Sequence, residues 1–379
     1  MMVEPHESTL EHATLRLITD WLAAVPPPQV VLLDDCQKES FSPVEAVVDK
    51  VREVCCSFGP EQSLFGILAE PIEISPQNSR SETVILMLNV GANHRIGPNR
   101  LYVQMARSWA ASGYRAFRFD LTGIGDSFAK EGFFNKNLYE KDSTADVRFA
   151  IDCLVAKGCK KIVLTGICSG AFVAFQTALV DPRVTVQILM NPRLLEYQVE
   201  KEKGTLQSAM QSYYKSTHFY QRELLNPKVY RRLLRGEVDV NGIAKRFQIV
   251  FKARLKRVFN ALLKSAPDDL SVLAQVKQLS ARGTDTLLIM ATQDDGRDYI
   301  DIQLGTQCSY MQGRPNFGMV LVENADHTFS NSKSQQFVIA AVHQHLEKFL
   351  TSEGLTVAAP AAKAALLATL TSMGASISQ

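Results

Sequence analysis

The chain has 379 residues, 46% hydrophobic and 21% charged, a globular composition that excludes a disordered or fibrous protein. The net charge of +2 is unevenly spread: residues 200–282 hold 17 Lys/Arg against 7 Asp/Glu, an excess of +10, leaving −8 for the rest. The seven cysteines form no C-x-x-C pair or metal-ligand spacing, and no apolar run nears the ~20 residues that cross a bilayer, so zinc modules and membrane spans are excluded.

At the start, Met1 to Glu7 is acidic and lacks an apolar core, which is unlike a secretory leader. Ser8 and Glu11 have capping-box spacing ahead of Leu10, Leu15, Ile18 and Leu22 at helical intervals, and Pro26-Pro27-Pro28 stops that helix. From Val51 the pattern changes to short apolar runs. Val51–Cys56 and Leu64–Leu68 read as a hairpin across Gly59-Pro60. Strands follow at Thr83–Val90, Arg115–Phe119, Lys161–Thr165, Val184–Met190, Asp285–Ala291 and Phe317–Val322. Helical patterns at about Leu101–Ser112, Ser143–Ala156, Gly170–Leu179 and Gln335–Leu350 alternate with them. Such alternation predicts an α/β fold: a mostly parallel, doubly wound sheet with helices on both faces.

The alternation breaks once. A loop of about 90 residues, from Met190 to Asp285, must carry structure of its own. Its helical, basic and aromatic pattern predicts a cap over the carboxyl end of the sheet, where open α/β sheets bind ligands. The expected organisation is an N-terminal extension (1–50), a first core segment (51–194), the cap (195–283), a second core segment (284–351) and an Ala-rich tail (352–379).

Chemistry concentrates at Gly166-Ile167-Cys168-Ser169-Gly170, between a strand and a helix. A sharp strand-to-helix turn needs small flanking residues, and it presents its central side chain, Cys168, beside the helix start. Ser169 is one residue out of register and is expected to offer its amide. A cysteine nucleophile needs an imidazole, and the imidazole an orienting carboxylate. His327, after the last strand, sits where a base is expected, whereas His218 falls in the cap and His343 and His345 in the last helix. For the acid, spacing from the Asp285–Ala291 strand favours Asp294, with Asp295 as the alternative. Either is also placed to cap the turn at Gly296. A second oxyanion amide is expected from Ala92, after the Thr83–Val90 strand. Asn93, His94 and Arg95 stand on the same rim, for substrate binding or for loop structure.

Together with Arg118-Phe119-Asp120-Leu121-Thr122-Gly123-Ile124-Gly125-Asp126-Ser127, these residues resemble the α/β-hydrolase superfamily over roughly Glu53–Leu350. Within it the chain is similar to the exosortase-associated branch. That branch carries serine where this chain has Cys168. A cysteine elbow resembles dienelactone hydrolases and the aminoacyltransferases that move acyl groups between carrier proteins in natural product biosynthesis. The resemblance implies acyl transfer through acyl-Cys168, by a transferase or thioesterase acting on acyl thioesters, with acidic phosphopantetheinyl carrier proteins as partners near the basic cap. Two alternatives are a hydrolase of esters or lactones with the same triad and a non-catalytic binding protein. No cofactor, metal, nucleic acid or membrane is expected, and the scattered thiols suggest a cytoplasmic setting.

Overall fold

A computed structural model describes residues 12–24, 45–73, 80–128, 143–197 and 271–352, with scattered positions between 217 and 255. The capping pair Ser8/Glu11, the proline stop, most of the cap segment and the tail lie outside these residues. The chain divides into two units, Met1–Ser42 and Pro43–Gln379. In the first, α1 (His12–Ala24) leaves Leu17 and Trp21 exposed.

The second unit is built on one nine-stranded sheet. Its strands are β1 (Glu45–Val48), β2 (Val51–Phe58), β3 (Leu64–Pro71), β4 (Thr83–Leu88), β5 (Arg115–Phe119), β6 (Lys161–Ile167), β7 (Val184–Met190), β8 (Asp285–Ala291) and β9 (Phe317–Val322). Their order is β1-β2-β3-β5-β4-β6-β7-β8-β9. The pairs from β1 through β3 to β5 are antiparallel, and those from β5 onward are parallel. The mainly parallel sheet expected from the alternating pattern is thus present, with an antiparallel edge. That edge begins earlier than the sequence reading places it: Glu45–Val48, inside the expected N-terminal extension, pairs with β2.

The helices of this unit are α2 (Leu101–Ala111), α3 (Ser143–Ala156), α4 (Ser169–Val180), α5 (Val272–Arg282), α6 (Arg297–Leu304) and α7 (Ser332–Ser352). Alternate residues of β4 show why the sheet is covered on both sides. Val84, Leu86 and Leu88 join one core with α3, α4, α5 and α6, while Ile85 and Met87 join the other with α2 and α7. A strand buried on both faces must be apolar throughout, and Val84–Leu88 is. Helix α5 lies in the segment assigned to the cap, yet it buries Val272, Val276 and Leu279 in the first of these cores. Their spacing of four and three residues puts them on one face.

Register fixes where the chemistry converges. Ile167 on β6 is level with Met190 on β7, Met190 with Ile289 on β8, and Ile289 with Val320 on β9. The carboxyl ends of these four parallel strands therefore lie side by side. The loops leaving them carry Cys168, Asn191, Asp294 and His327.

Candidate active site

Cys168 stands between β6 and α4 with φ 58° and ψ −116°, a conformation that side chains other than glycine's rarely adopt. The glycines around it make the turn possible. A Cβ on Gly166 would lie 2.3 Å from the backbone of Gly170, and one on Gly170 would lie 2.7 Å from the carbonyl oxygen of Leu88. Below the turn, the buried Tyr102 hydroxyl donates to the Leu88 carbonyl (2.9 Å) and accepts the Ile167 amide (3.2 Å).

Asp294, after β8, reaches His327, after β9: Oδ2 of the carboxylate lies 2.5 Å from Nδ1 of the imidazole. Asp294 is wholly buried, while the His327 side chain keeps 20% exposure. The other carboxylate oxygen, Oδ1, accepts the Gly296 amide at 2.7 Å. Orienting the imidazole and capping the turn are therefore both done by Asp294. Asp295 turns elsewhere, to Arg193 at 3.3 Å.

His327 completes the chain with a hydrogen bond to Cys168. Burial works against ionising the thiol. The charge and hydrogen bond of His327 and the charge of Arg193 outweigh that cost and hold Cys168 below the ordinary thiol range, with Asp294 opposing. Burial also works against charging the imidazole, but Asp294 and Cys168 raise His327 to about 10. Both shifts favour the charged forms, so the pair leans toward thiolate and imidazolium, the form in which a cysteine acts as a nucleophile.

The rim is built by a different network. Gly91 donates its amide to the Ser169 hydroxyl at 2.8 Å, which commits that hydroxyl to the loop. The amide of Ala92, next in the chain to the donor, and the amide of Ser169 itself have no partner among the described residues. Asn93 folds its side chain back to the Val90 carbonyl at 3.0 Å. Arg95 is drawn in by Asp120 and Asp126, each 2.5 Å away, and stacks on Phe65 at 4.5 Å. His94 is exposed on the same loop. Of the two readings given for this trio, loop structure accounts for the contacts of Asn93 and Arg95.

The carboxylate of Asp120 has no solvent exposure and is a hub. It accepts the Arg95 amide (2.6 Å), the Asn89 side chain (3.1 Å) and the Asp126 amide (3.3 Å). A Cβ on Gly125 would fall 2.3 Å from it. Ser127 bonds the Asp120 carbonyl at 2.6 Å, and Arg118 reaches Glu53 at 2.8 Å. The R-F-D-x-x-G-x-G-D-S stretch thus anchors the Gly91–Arg95 loop, chiefly through its buried Asp120.

Three site residues escaped the sequence reading. Tyr102 looks like one more core aromatic of α2. Asn191 and Arg193 follow β7 in Asn191-Pro192-Arg193, and polar residues directly after a strand's carboxyl end, beside the elbow strand, are the signal that marks them. Among the described residues no cluster of three or more His, Cys, Asp or Glu side chains is arranged to hold a metal ion.

A sequence model described as the alpha/beta hydrolase family matches residues 91–341. No curated protein matches the chain. Similar solved structures include a bacterial membrane phospholipase A (16% identity, 90% of each chain covered, TM-score 0.41). A peroxisomal α/β-hydrolase of Saccharomyces cerevisiae is 14% identical, with 85% of this chain and 94% of that one covered and a TM-score of 0.45. An esterase of Pyrococcus furiosus is 12% identical, covering 81% and 90%, with a TM-score of 0.44.

Proposed function

The chain belongs to the alpha/beta hydrolase family, and from that premise we propose that it is an acyl-transfer enzyme working through a covalent acyl-Cys168 intermediate. The observation that carries this reading is the continuous hydrogen-bonded chain Cys168–His327–Asp294 at the head of a strained elbow.

In the proposed reaction the Cys168 thiolate attacks the carbonyl carbon of an acyl thioester. A carbon–sulfur bond forms, and the carbonyl oxygen becomes an oxyanion facing the Ala92 and Ser169 amides. Collapse breaks the substrate's own carbon–sulfur bond, and the departing thiolate takes the proton from His327. The acceptor then gives a proton to the now neutral His327 and attacks acyl-Cys168. The bond to Sγ breaks, and the thiolate–imidazolium pair is restored.

Thioester donors are favoured by chemistry. Exchange between two thioesters is nearly isoenergetic, so a cysteine keeps the acyl group activated for passing on, where an acyl-serine would sink it. The donors we propose are small thioesters and phosphopantetheinyl carrier proteins, the latter attracted by the basic 200–282 segment, in natural product assembly. A second reading, hydrolysis of an ester or lactone with water as acceptor, is favoured by family membership and uses the same residues.

Intact mass after incubation with a panel of acyl thioesters tests the first step. Wild type and Ser169→Ala gain the acyl mass, and Cys168→Ala does not. A second carrier protein then separates transfer, where the mass moves on, from hydrolysis, where it is lost to water. Acyl mass on Cys168→Ala would overturn the reading.

A further inference from the structure

Where the β4–β6 ladder ends, Leu88 is level with Gly166, and the next residue is Ile167. Tyr102 of α2 enters at this point. Its buried hydroxyl accepts the Ile167 amide at 3.2 Å and donates to the Leu88 carbonyl at 2.9 Å, so one oxygen spans the two strand ends. Each strand end leads to one of the two amides proposed to face the oxyanion. From Ile167 the chain reaches Cys168 and Ser169 directly. From Leu88 it reaches Ala92 through a closed turn: the Asn93 amide donates to the Val90 carbonyl and the Asn89 side chain to the Asn93 carbonyl, both at 3.0 Å. The far end of that loop rests on Tyr102 as well. The Tyr102 amide donates to the Ile96 carbonyl at 3.2 Å, and a Cβ on Gly97 would lie 2.7 Å from the ring.

We infer that Tyr102 is a positioning residue whose hydroxyl sets the spacing between the Ala92 and Ser169 amides. The inference rests on the proposed roles of Cys168 as nucleophile and of these amides as its oxyanion donors. The two segments are then joined twice: directly, where Gly91 donates to the Ser169 hydroxyl at 2.8 Å, and through the phenol, where the strands end. Filling the space beside Gly97 needs only a ring, and phenylalanine supplies one. Joining an amide on one strand to a carbonyl on the next needs a group that accepts and donates at once, and a hydroxyl does both. Oxyanion donors act on a charge that exists only during the reaction, and they must stand about 3 Å from it. Their spacing is therefore felt in the rate of acylation and not in substrate binding.

The test compares two reactions of the same sulfur. Acylation by a thioester passes through an oxyanion, whereas alkylation by iodoacetamide displaces iodide from a methylene carbon and forms none. In Tyr102→Phe, single-turnover acylation read by intact mass slows by roughly tenfold to a hundredfold, the scale of a misplaced catalytic group. Alkylation at the same pH, read on the Cys168 peptide so that the other thiols do not contribute, stays within about twofold of wild type, because no oxyanion donor takes part in it. In steady state kcat falls while KM holds, as for an interaction made only in the transition state. Thermal melting and circular dichroism establish that the variant is folded. Tyr102→para-fluorophenylalanine, which fills the place of the oxygen but donates nothing, decides the matter if the phenylalanine variant does not fold.

Unchanged acylation in a folded variant would overturn the inference. So would acylation and alkylation falling together, since Tyr102 would then support the sulfur or the fold at large and not the amides. Failure of the nucleophile reading looks different: acyl mass then appears on Cys168→Ala with Tyr102 intact.

Discussion

Asn191 ties the loop of His327 to the strand that carries the acid: its Nδ2 donates to the His327 carbonyl at 2.8 Å, and its Oδ1 accepts the Ala291 amide at 2.7 Å. Asn191 is fully buried with φ 43°, and its own amide donates to Ile289 at 2.9 Å. One side chain thus sets the distance between base and acid. Asn191→Ala leaves a buried amide and a buried carbonyl unmatched, at a cost of about 2 kcal/mol or more. A lowered melting temperature and a fall in kcat larger than the change in KM are the expected results.

Asp294→Asn and Asp295→Asn separate the two neighbouring carboxylates. The first removes the charge that fixes and ionises His327, and kcat is expected to fall by roughly 10³–10⁴-fold. The second leaves the imidazole's partner in place, and its effect on kcat is expected to be at least about a hundredfold smaller. Steady-state kinetics of the two variants side by side measure the difference.

Swapping Cys168 and Ser169 in turn for alanine distinguishes nucleophile from neighbour. Cys168→Ala abolishes both the acyl mass and turnover. Ser169→Ala still acylates, but more slowly, by about tenfold, because the Gly91 amide loses its acceptor and the loop presenting Ala92 is loosened. Single-turnover acylation rates show which residue accepts the acyl group.

The acylation rate should trace a broad bell against pH. The acid limb marks protonation of the Cys168 thiolate and lies below the ordinary thiol range, because His327 and Arg193 favour the charged form. The alkaline limb marks loss of the imidazolium proton that the leaving thiol needs, near the value of about 10 reached by His327. Both groups are shifted toward their charged forms, so the window between the limbs is wider than for an unpaired thiol and imidazole. Asp294→Asn weakens the hold on the imidazolium and should move the alkaline limb downward. Rates measured from pH 4 to 11 on both proteins check the sign.

Gly170→Ala probes the elbow's geometry. Its methyl group would meet the Leu88 and Asn89 carbonyl oxygens at 2.7 and 2.8 Å. Backbone cannot retreat as a flexible side chain can, so the expected cost is about 3 kcal/mol or more. Denaturant titration of the variant reads it.

How far the sequence reveals this site depends on which contacts are local. Four strands, β5, β7, β8 and β9, fall where the sequence places them; β8 is buried along its whole length, whereas β9 is mostly half-buried. The elbow was legible because strand, glycines, cysteine and helix are contiguous. His327 was legible because it follows the last strand. Choosing Asp294 over Asp295 rested on spacing alone, since adjacent residues on a turn differ in direction and not in chemistry. Helix α6 went unseen because Arg297–Leu304 is short and carries polar residues that are buried, Asp298 and Asp301. Arg95 was read as a rim residue because the acid that draws it inward is 25 positions away. No periodicity links the two.

The convergence of four strand ends has a consequence in time as well as in space. Cys168 leaves β6, but its acid and base leave β8 and β9, and in sequence His327 lies far beyond the cap segment. Loop-closure entropy makes such distant pairings late events in folding. Until β8 and β9 dock, the Asp294–His327 pair is not formed beside Cys168. Under the proposed mechanism, a newly made chain would acquire its chemistry only when its final strand is in place.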